Sequence, residues 1–309
     1  MTAVQANGIT IEYEERGPRG APAIVLIMGL GMQLVSWPES LCNDLARHGY
    51  RVIRFDNRDA GLSSKMPSLP RLVTAAMLLR ALLGLPVRPP YTLNAMAYDT
   101  VGLLDALGLN RAHLVGASMG GMIAQIVAIE WPERVASLTS IMSTSGNRLL
   151  PGPQRKVLRA LLWPRSRSAA TAIRLGVSFF RMVNGRGYPA SEAELRAKVE
   201  RAVRRSYRPD GLTRQLLAVL AAPSRVPGLR RIGAPTLVLH GDEDPLVPMA
   251  AGEDVARNIP AARLRIVKGM GHFIPEALVP LLVEEIAQHC SAAEDLAHSQ
   301  PRRAAGGSP

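Results

Sequence analysis

Apolar and polar positions along the 309 residues follow two rhythms. VQA and ITIEYEER alternate residue by residue on either side of Asn7-Gly8. That alternation predicts two half-buried strands joined by a tight hairpin. APAIVLIMG, from Ala21, is instead a continuous apolar run, as is RVIRF, from Arg51. Such runs predict strands covered on both faces. Between them a helical spacing over residues 38–48 ends at Gly49.

Beyond Arg51 the strand–helix rhythm continues. YTLNAMAYDTVGLLDALGLN, from Tyr91, is an amphipathic helix closed by Gly108. RAHLV, from Arg111, is a short strand, and GMIAQIVAIE, from Gly121, is a helix that stops before Pro132, because proline disfavours a helical residue ahead of it. RVASLTSIMST, from Arg134, is the next strand. Residues 145–233 then break the rhythm, with helical, Arg-rich segments cut by Pro and Gly and no buried strand. APTLVLHGD, ARLRIVKGMGH and the helix IPEALVPLLVEEIAQHC restore it. Alternating strands and helices imply βαβ units and a parallel sheet.

The pattern predicts an α/β fold: a mostly parallel, doubly wound sheet with a helical insertion after its sixth strand. Residues 1–144 and 233–290 would form the core and 145–232 a cap. Residues 291–309 are polar and expected to be disordered. An insertion at that place lies over the carboxyl ends of the strands, where ligands bind in open α/β sheets. A second apolar segment, MPSLPRLVTAAMLLRALLGLPVRPP, from Met66, reads as an extra helix that would either help roof the site or merely pack on the cap.

Charge changes this picture only locally. The net charge is +12, and residues 151–231 hold 18 Lys plus Arg against 4 Asp plus Glu. Only 4 of the 37 basic residues are Lys, which points to a coding bias toward Arg. The arginines alternate with apolar residues at helical spacing, as on solvated faces, so weak contact with anionic surfaces is the most the cap's charge implies. No nucleic-acid motif or aromatic platform accompanies it, and no nucleic-acid partner is expected. No apolar run is long enough to span a membrane. The first residues lack a basic stretch followed by an apolar one, so no secretory leader is expected. Cys42 and Cys290 make no disulfide framework. A cytoplasmic location is the expectation.

Candidate chemistry concentrates at three strand ends. LVGASMGGM, from Leu114, holds Gly116-Ala117-Ser118-Met119-Gly120 between a strand and a helix. Gly-x-Ser-x-Gly in that setting matches a sharp elbow that projects the Ser hydroxyl above the sheet. GDEDPLVP, from Gly241, and MGHFIP, from Met270, follow the last two strands. A Ser hydroxyl needs a base, and the base an orienting acid. Asp242, Glu243, Asp244 and His272 supply the candidates. His240 reads as a strand-end residue with a structural hydrogen bond. His48, His113, His289 and His298 have no acid-plus-Ser context.

With VGASMGG, HGDEDPLVP and GMGHFIP in this order, and FDNRDAGLSS after the fourth strand, the chain resembles the α/β-hydrolase-fold serine hydrolases over about residues 22–142 and 234–290. IMGLGMQLVSWP and RFDNRDAGLSS are most similar to the aclacinomycin methylesterase-like carboxylesterases. The resemblance implies Ser118 as nucleophile, His272 as general base and Asp244, framed by Gly241 and Pro248, as the acid, with Asp242 as the alternative. It implies an oxyanion hole from the backbone N–H groups of Leu30 and Met119. Met28 stands where the family usually has His before Gly29. No cofactor or metal is implied. The expected activity is cleavage of a carboxylic ester or lactone of an apolar small molecule through an acyl-enzyme. Carbon–carbon bond hydrolysis, cofactor-free perhydrolysis and a non-catalytic binding role remain alternatives.

Overall fold

The computed structural model describes residues 2–162, 166 and 168–299. Among the described residues are eight strands: β1 Thr2–Ala6, β2 Ile9–Arg16, β3 Ala23–Ile27, β4 Arg51–Phe55, β5 Ala112–Ala117, β6 Val135–Ile141, β7 Thr236–Gly241 and β8 Arg263–Val267. They form one sheet in the order β1-β2-β4-β3-β5-β6-β7-β8. β1–β2 and β2–β4 are antiparallel, and every later pairing is parallel. The hairpin turns at Asn7 and Gly8, both at positive φ, with Ala6 opposite Ile9.

The core helices are α1 Glu39–Arg47, α2 Arg71–Leu82, α3 Leu93–Ala106 and α4 Met119–Glu130. The cap follows as α5 Arg155–Leu162, α6 Ala169–Val183, α7 Glu192–Arg205, α8 Pro209–Ala221 and α9 Val226–Leu229. α10 Met249–Asn258 and α11 Val279–Ser299 complete the chain. α3, α4 and α10 cover one face of the sheet, and α1 and α11 the other. This two-sided burial is why β3 and β4 have no exposed position. Arg54 is tolerated inside β4 because its guanidinium meets Glu14, Glu39 and Trp37 O.

Several expectations need correction. The last helix does not end near residue 290. α11 runs to Ser299, with Leu282, Ile286, Cys290 and Ala293 buried on one stripe. The apolar spacing carries through the polar-looking tail, so residues 291–299 are helical rather than disordered. The rest of that expectation, 300–309, lies outside the described residues. The return to the core also starts before residue 233, since α9 packs on α4 and α10 and buries Leu229.

The extra helix expected over residues 67–90 exists as α2, but it does not roof the site. It packs against α8, no residue of 67–90 lines the central cavity, and Leu72, Leu79 and Leu83 face solvent.

The cap arginines are not simply solvated. Arg214 and Arg225 are buried, and the Arg205 side chain is only 10% exposed. Arg205 meets Asp56 at 2.6 Å, and Arg214 grips Asp59 through two bonds. Arg225 donates to Gln125 Oε1 and Thr144 O, and burial pulls its pKa down to about 10. Part of the cap's positive charge is thus spent on the acids of FDNRDAGLSS and on core carbonyls.

Candidate active site

The strand order reverses between β3 and β5, which leave the sheet on either side of one crevice. Ligands bind at such a switch point in open α/β sheets. Ser118 stands there, between the end of β5 and the start of α4, with φ 56 and ψ −119. That backbone region is unfavourable for any residue with a Cβ, by about 1–3 kcal/mol. The surroundings hold it. Ser118 N donates to Ile141 O, while Gly121 N, Met122 N and Ser143 Oγ all donate to Ser118 O. The flanking glycines are required by close approach: a Cβ on Gly116 would stand 2.2 Å from Gly120 O, and one on Gly120 1.9 Å from Ile27 O.

The three strand ends converge. His272 Nε2 lies 2.9 Å from Ser118 Oγ, and His272 Nδ1 lies 2.6 Å from Asp244 Oδ2. Asp244 is held by its other oxygen, which accepts from Leu246 N and Val247 N at 2.8 Å each. Its carboxylate is sealed from solvent, and His272 is nearly so. Asp242 turns elsewhere: its Oδ1 accepts from Gly269 N at 2.6 Å and braces the loop that carries His272. Glu243 pairs with Arg186 of the cap.

His240 has the structural part expected of it. Its Nε2 lies 2.8 Å from Val247 O, beneath the loop that carries Asp244. Burial holds its imidazole below the usual range, and the Val247 carbonyl opposes that shift. His113 corrects its reading, because it does have Ser and acid neighbours. Its Nδ1 lies 2.8 Å from Ser137 Oγ, and Glu294 Oε1 is 3.1 Å from its Nε2. His113 and Ser137 are buried near the start of β5, the far end from Ser118, Glu294 is half-buried, and the three line neither described cavity. Burial pushes the His113 pKa down to about 4.

The loop after β3 closes the crevice. A Cβ on Gly29 would stand 3.1 Å from Ser118 Cβ, so the chain leading into Leu30 runs directly against the hydroxyl-bearing residue. Met119 is the first residue of α4, where backbone N–H groups have no partner inside the helix. Asn57 Nδ2 donates to Met28 O at 3.0 Å, so β4's loop braces the turn from below. Gly31 N donates to Gln215 Oε1 of α8 at 2.7 Å.

Above Ser118 and His272 is a cavity of about 240 Å³. Its walls are mainly apolar, with Leu30, Met142, Leu175, Phe179, Phe180 and Val199 among them. The core supplies the floor and α5–α8 the roof. Gln33 ties the two together, donating to Ala202 O and Ser206 O and accepting from Arg205.

A family model for the alpha/beta hydrolase fold matches residues 22–276. The chain belongs to this family. It is 29% identical over 312 residues to rhodomycin D methylesterase DauP of Streptomyces sp. (strain C5), covering 94% of this chain and 98% of that protein. It is 30% identical to a 2-hydroxy-6-oxononadienedioate/2-hydroxy-6-oxononatrienedioate hydrolase of Burkholderia vietnamiensis, covering 86% and 85%. The enol-lactonase of Burkholderia xenovorans LB400 has the same fold, with a TM-score of 0.74 at 22% identity, covering 94% of this chain and all of that one. Methylesterase relatives matched along nearly their whole length support an ester hydrolase. No helix among the described residues is long and apolar enough to cross a membrane.

Missing from the sequence reading were Lys198, Gln33 and the cap partners of Asp56 and Asp59. FDNRDAGLSS carried a signal, since buried acids need partners. So did Lys198, one of four lysines in an arginine-rich chain.

Proposed function

We propose that the protein is a serine esterase that cleaves a carboxylic ester of an apolar small molecule. Ser118 Oγ attacks the ester carbonyl while His272 Nε2 takes its proton. Asp244 accepts from His272 Nδ1–H, which fixes the tautomer and steadies the imidazolium that forms. The N–H groups of Leu30 and Met119 receive the oxyanion, each worth about 3–4 kcal/mol in the transition state. His272 then protonates the departing alkoxide, leaving the acyl group on Ser118. Water, deprotonated by the same imidazole, releases the acid and restores Ser118.

One observation carries the reading: an unbroken chain from Ser118 through His272 to Asp244 opens into an apolar cavity. The dienedioate hydrolase relative keeps carbon–carbon cleavage as the second reading, since one nucleophile and base can serve both. Buried thiols at Cys42 and Cys290, raised by burial to about 11 and about 12, suit a reducing cytoplasm.

The test is a series of 4-nitrophenyl and methyl esters of graded acyl length, with a fluorophosphonate probe alongside. Ester turnover and one Ser118-dependent label are expected. Turnover or labelling that persists in Ser118→Ala sinks the assignment.

A further inference from the structure

Among the described residues lining the cavity are two cations, Lys198 and Arg208, and no aspartate or glutamate. Arg208 is engaged, with Nη1 donating to Ser63 O at 2.6 Å and Nε to Ser206 Oγ at 3.2 Å. Lys198 is different. Its Nζ donates to Ile274 O at 2.9 Å and sits 4.4 Å from the centre of the Phe273 ring. No carboxylate among the described residues pairs with it. Glu194 and Glu276 lie near enough for their charges to favour the ammonium but do not bond to it: Glu194 Oε1 accepts from Glu276 N, and Glu276 Oε2 accepts from Ser40 Oγ. The neighbouring cation, Arg201, donates to Val35 O.

An ammonium has three donors. One carbonyl takes one, and the ring face attracts the cation without accepting like an oxygen. Lys198 is half-buried, and a charge withdrawn from water without a directly bonded counter-ion is costly, the usual remedies being a partner or loss of the charge. Burial pulls Lys198 down to about 8, so it keeps its proton at neutral pH. Ile274 lies two residues beyond His272, and both line the same cavity.

Deepening the esterase reading, we propose that Lys198 is the counter-ion for a carboxylate on the substrate, separated from the scissile ester by an apolar spacer. The substrate class is then the half-ester of a dicarboxylic acid, or an ester of equivalent charge. The apolar wall takes the spacer, Ser118 takes the ester and the ammonium takes the far anion. Burial of the pair among Phe273, Val199 and Ile274 strengthens its attraction relative to water.

The experiment compares methyl half-esters with dimethyl esters of the same dicarboxylic acids, from six to ten carbons, on the full chain. The half-ester is expected to exceed its diester at least ten-fold in kcat/KM at one or more chain lengths at pH 7. Lys198→Met should cut that ratio at least ten-fold, and Lys198→Arg should keep most of it. Between pH 7 and pH 9 the wild-type ratio should fall as the ammonium loses its proton. Glu194, Glu276 and Arg201 are the charged groups around it. A ratio near one at every length, or one unchanged in Lys198→Met, overturns the proposal.

Binding gives an arm independent of chemistry. In Ser118→Ala, calorimetry should show the half-ester binding at least ten-fold tighter than the diester, and Lys198→Met in that background should erase the difference. Equal binding overturns the Lys198 proposal even if esters are cleaved. Selective binding with no cleavage by wild type keeps Lys198 and overturns the esterase reading.

Discussion

Arg214 of α8 closes a two-point ion pair on Asp59, with Nε 2.8 Å from Oδ2 and Nη2 2.7 Å from Oδ1. Asp59 sits at φ 68 in the loop after β4 and also accepts from Tyr91 Oη and Met66 N. One core carboxylate thus joins the cap, the loop that follows β4 and the start of α3. Removing one partner of a buried pair strands the other charge, at a cost of about 3–5 kcal/mol. Arg214→Met should lower the urea midpoint by a large fraction of the total stability. A loss under about 1 kcal/mol would show that the pair does not hold the cap.

The two aspartates after β7 should separate cleanly. Asp244→Asn leaves His272 in the wrong tautomer and should lower kcat by about 10⁴-fold. Asp242→Asn keeps an oxygen that can accept from Gly269 N and removes only the charge, so kcat should fall by about ten-fold or less. The opposite ranking would reassign the acid.

Pocket shape should answer to α6 and not to α2. Phe179 and Phe180 line the cavity, whereas Leu72 and Leu83 are exposed and do not line it. Phe180→Ala should move the preferred acyl length upward by one or more carbons. Leu72→Gln and Leu83→Gln should leave length preference unchanged and stability within about 0.5 kcal/mol. Ester profiles of the three variants decide the matter.

Acid should weaken the fold through two histidines. Burial holds His113 and His289 down to about 4. As pH falls, the unfolded chain therefore protonates them first. Stability from this source is complete above about pH 6.5 and drains away between about 6.5 and 4, by up to about 3 kcal/mol for each group. His113→Gln should make the urea midpoint less steep against pH in that window. An unchanged slope would exclude His113 as a contributor.

Much of the fold and the reacting groups was legible in the sequence because the signals are local. Asn7-Gly8 sets its own turn, the apolar runs of β3 and β4 report two-sided burial, and a strained Ser between glycines announces an elbow. Ser118, Asp244 and His272 follow strand ends on one edge, so topology alone brings them near each other. The cap's inner chemistry was not legible. The charges of Arg205 and Arg214 have their meaning only through Asp56 and Asp59, about 150 positions away in the chain, and sequence spacing carries no record of such pairs. α11 outran its reading because a few small buried residues, Cys290 and Ala293, extend a stripe that composition hides. Sequence by itself pointed to the sheet, the elbow and the candidate trio of Ser118, His272 and Asp244. Tertiary packing decided that α2 stays outside the cavity and that Lys198 lies within it with no carboxylate among the described residues bonded to it, because burial and charge pairing are properties of neighbours in space.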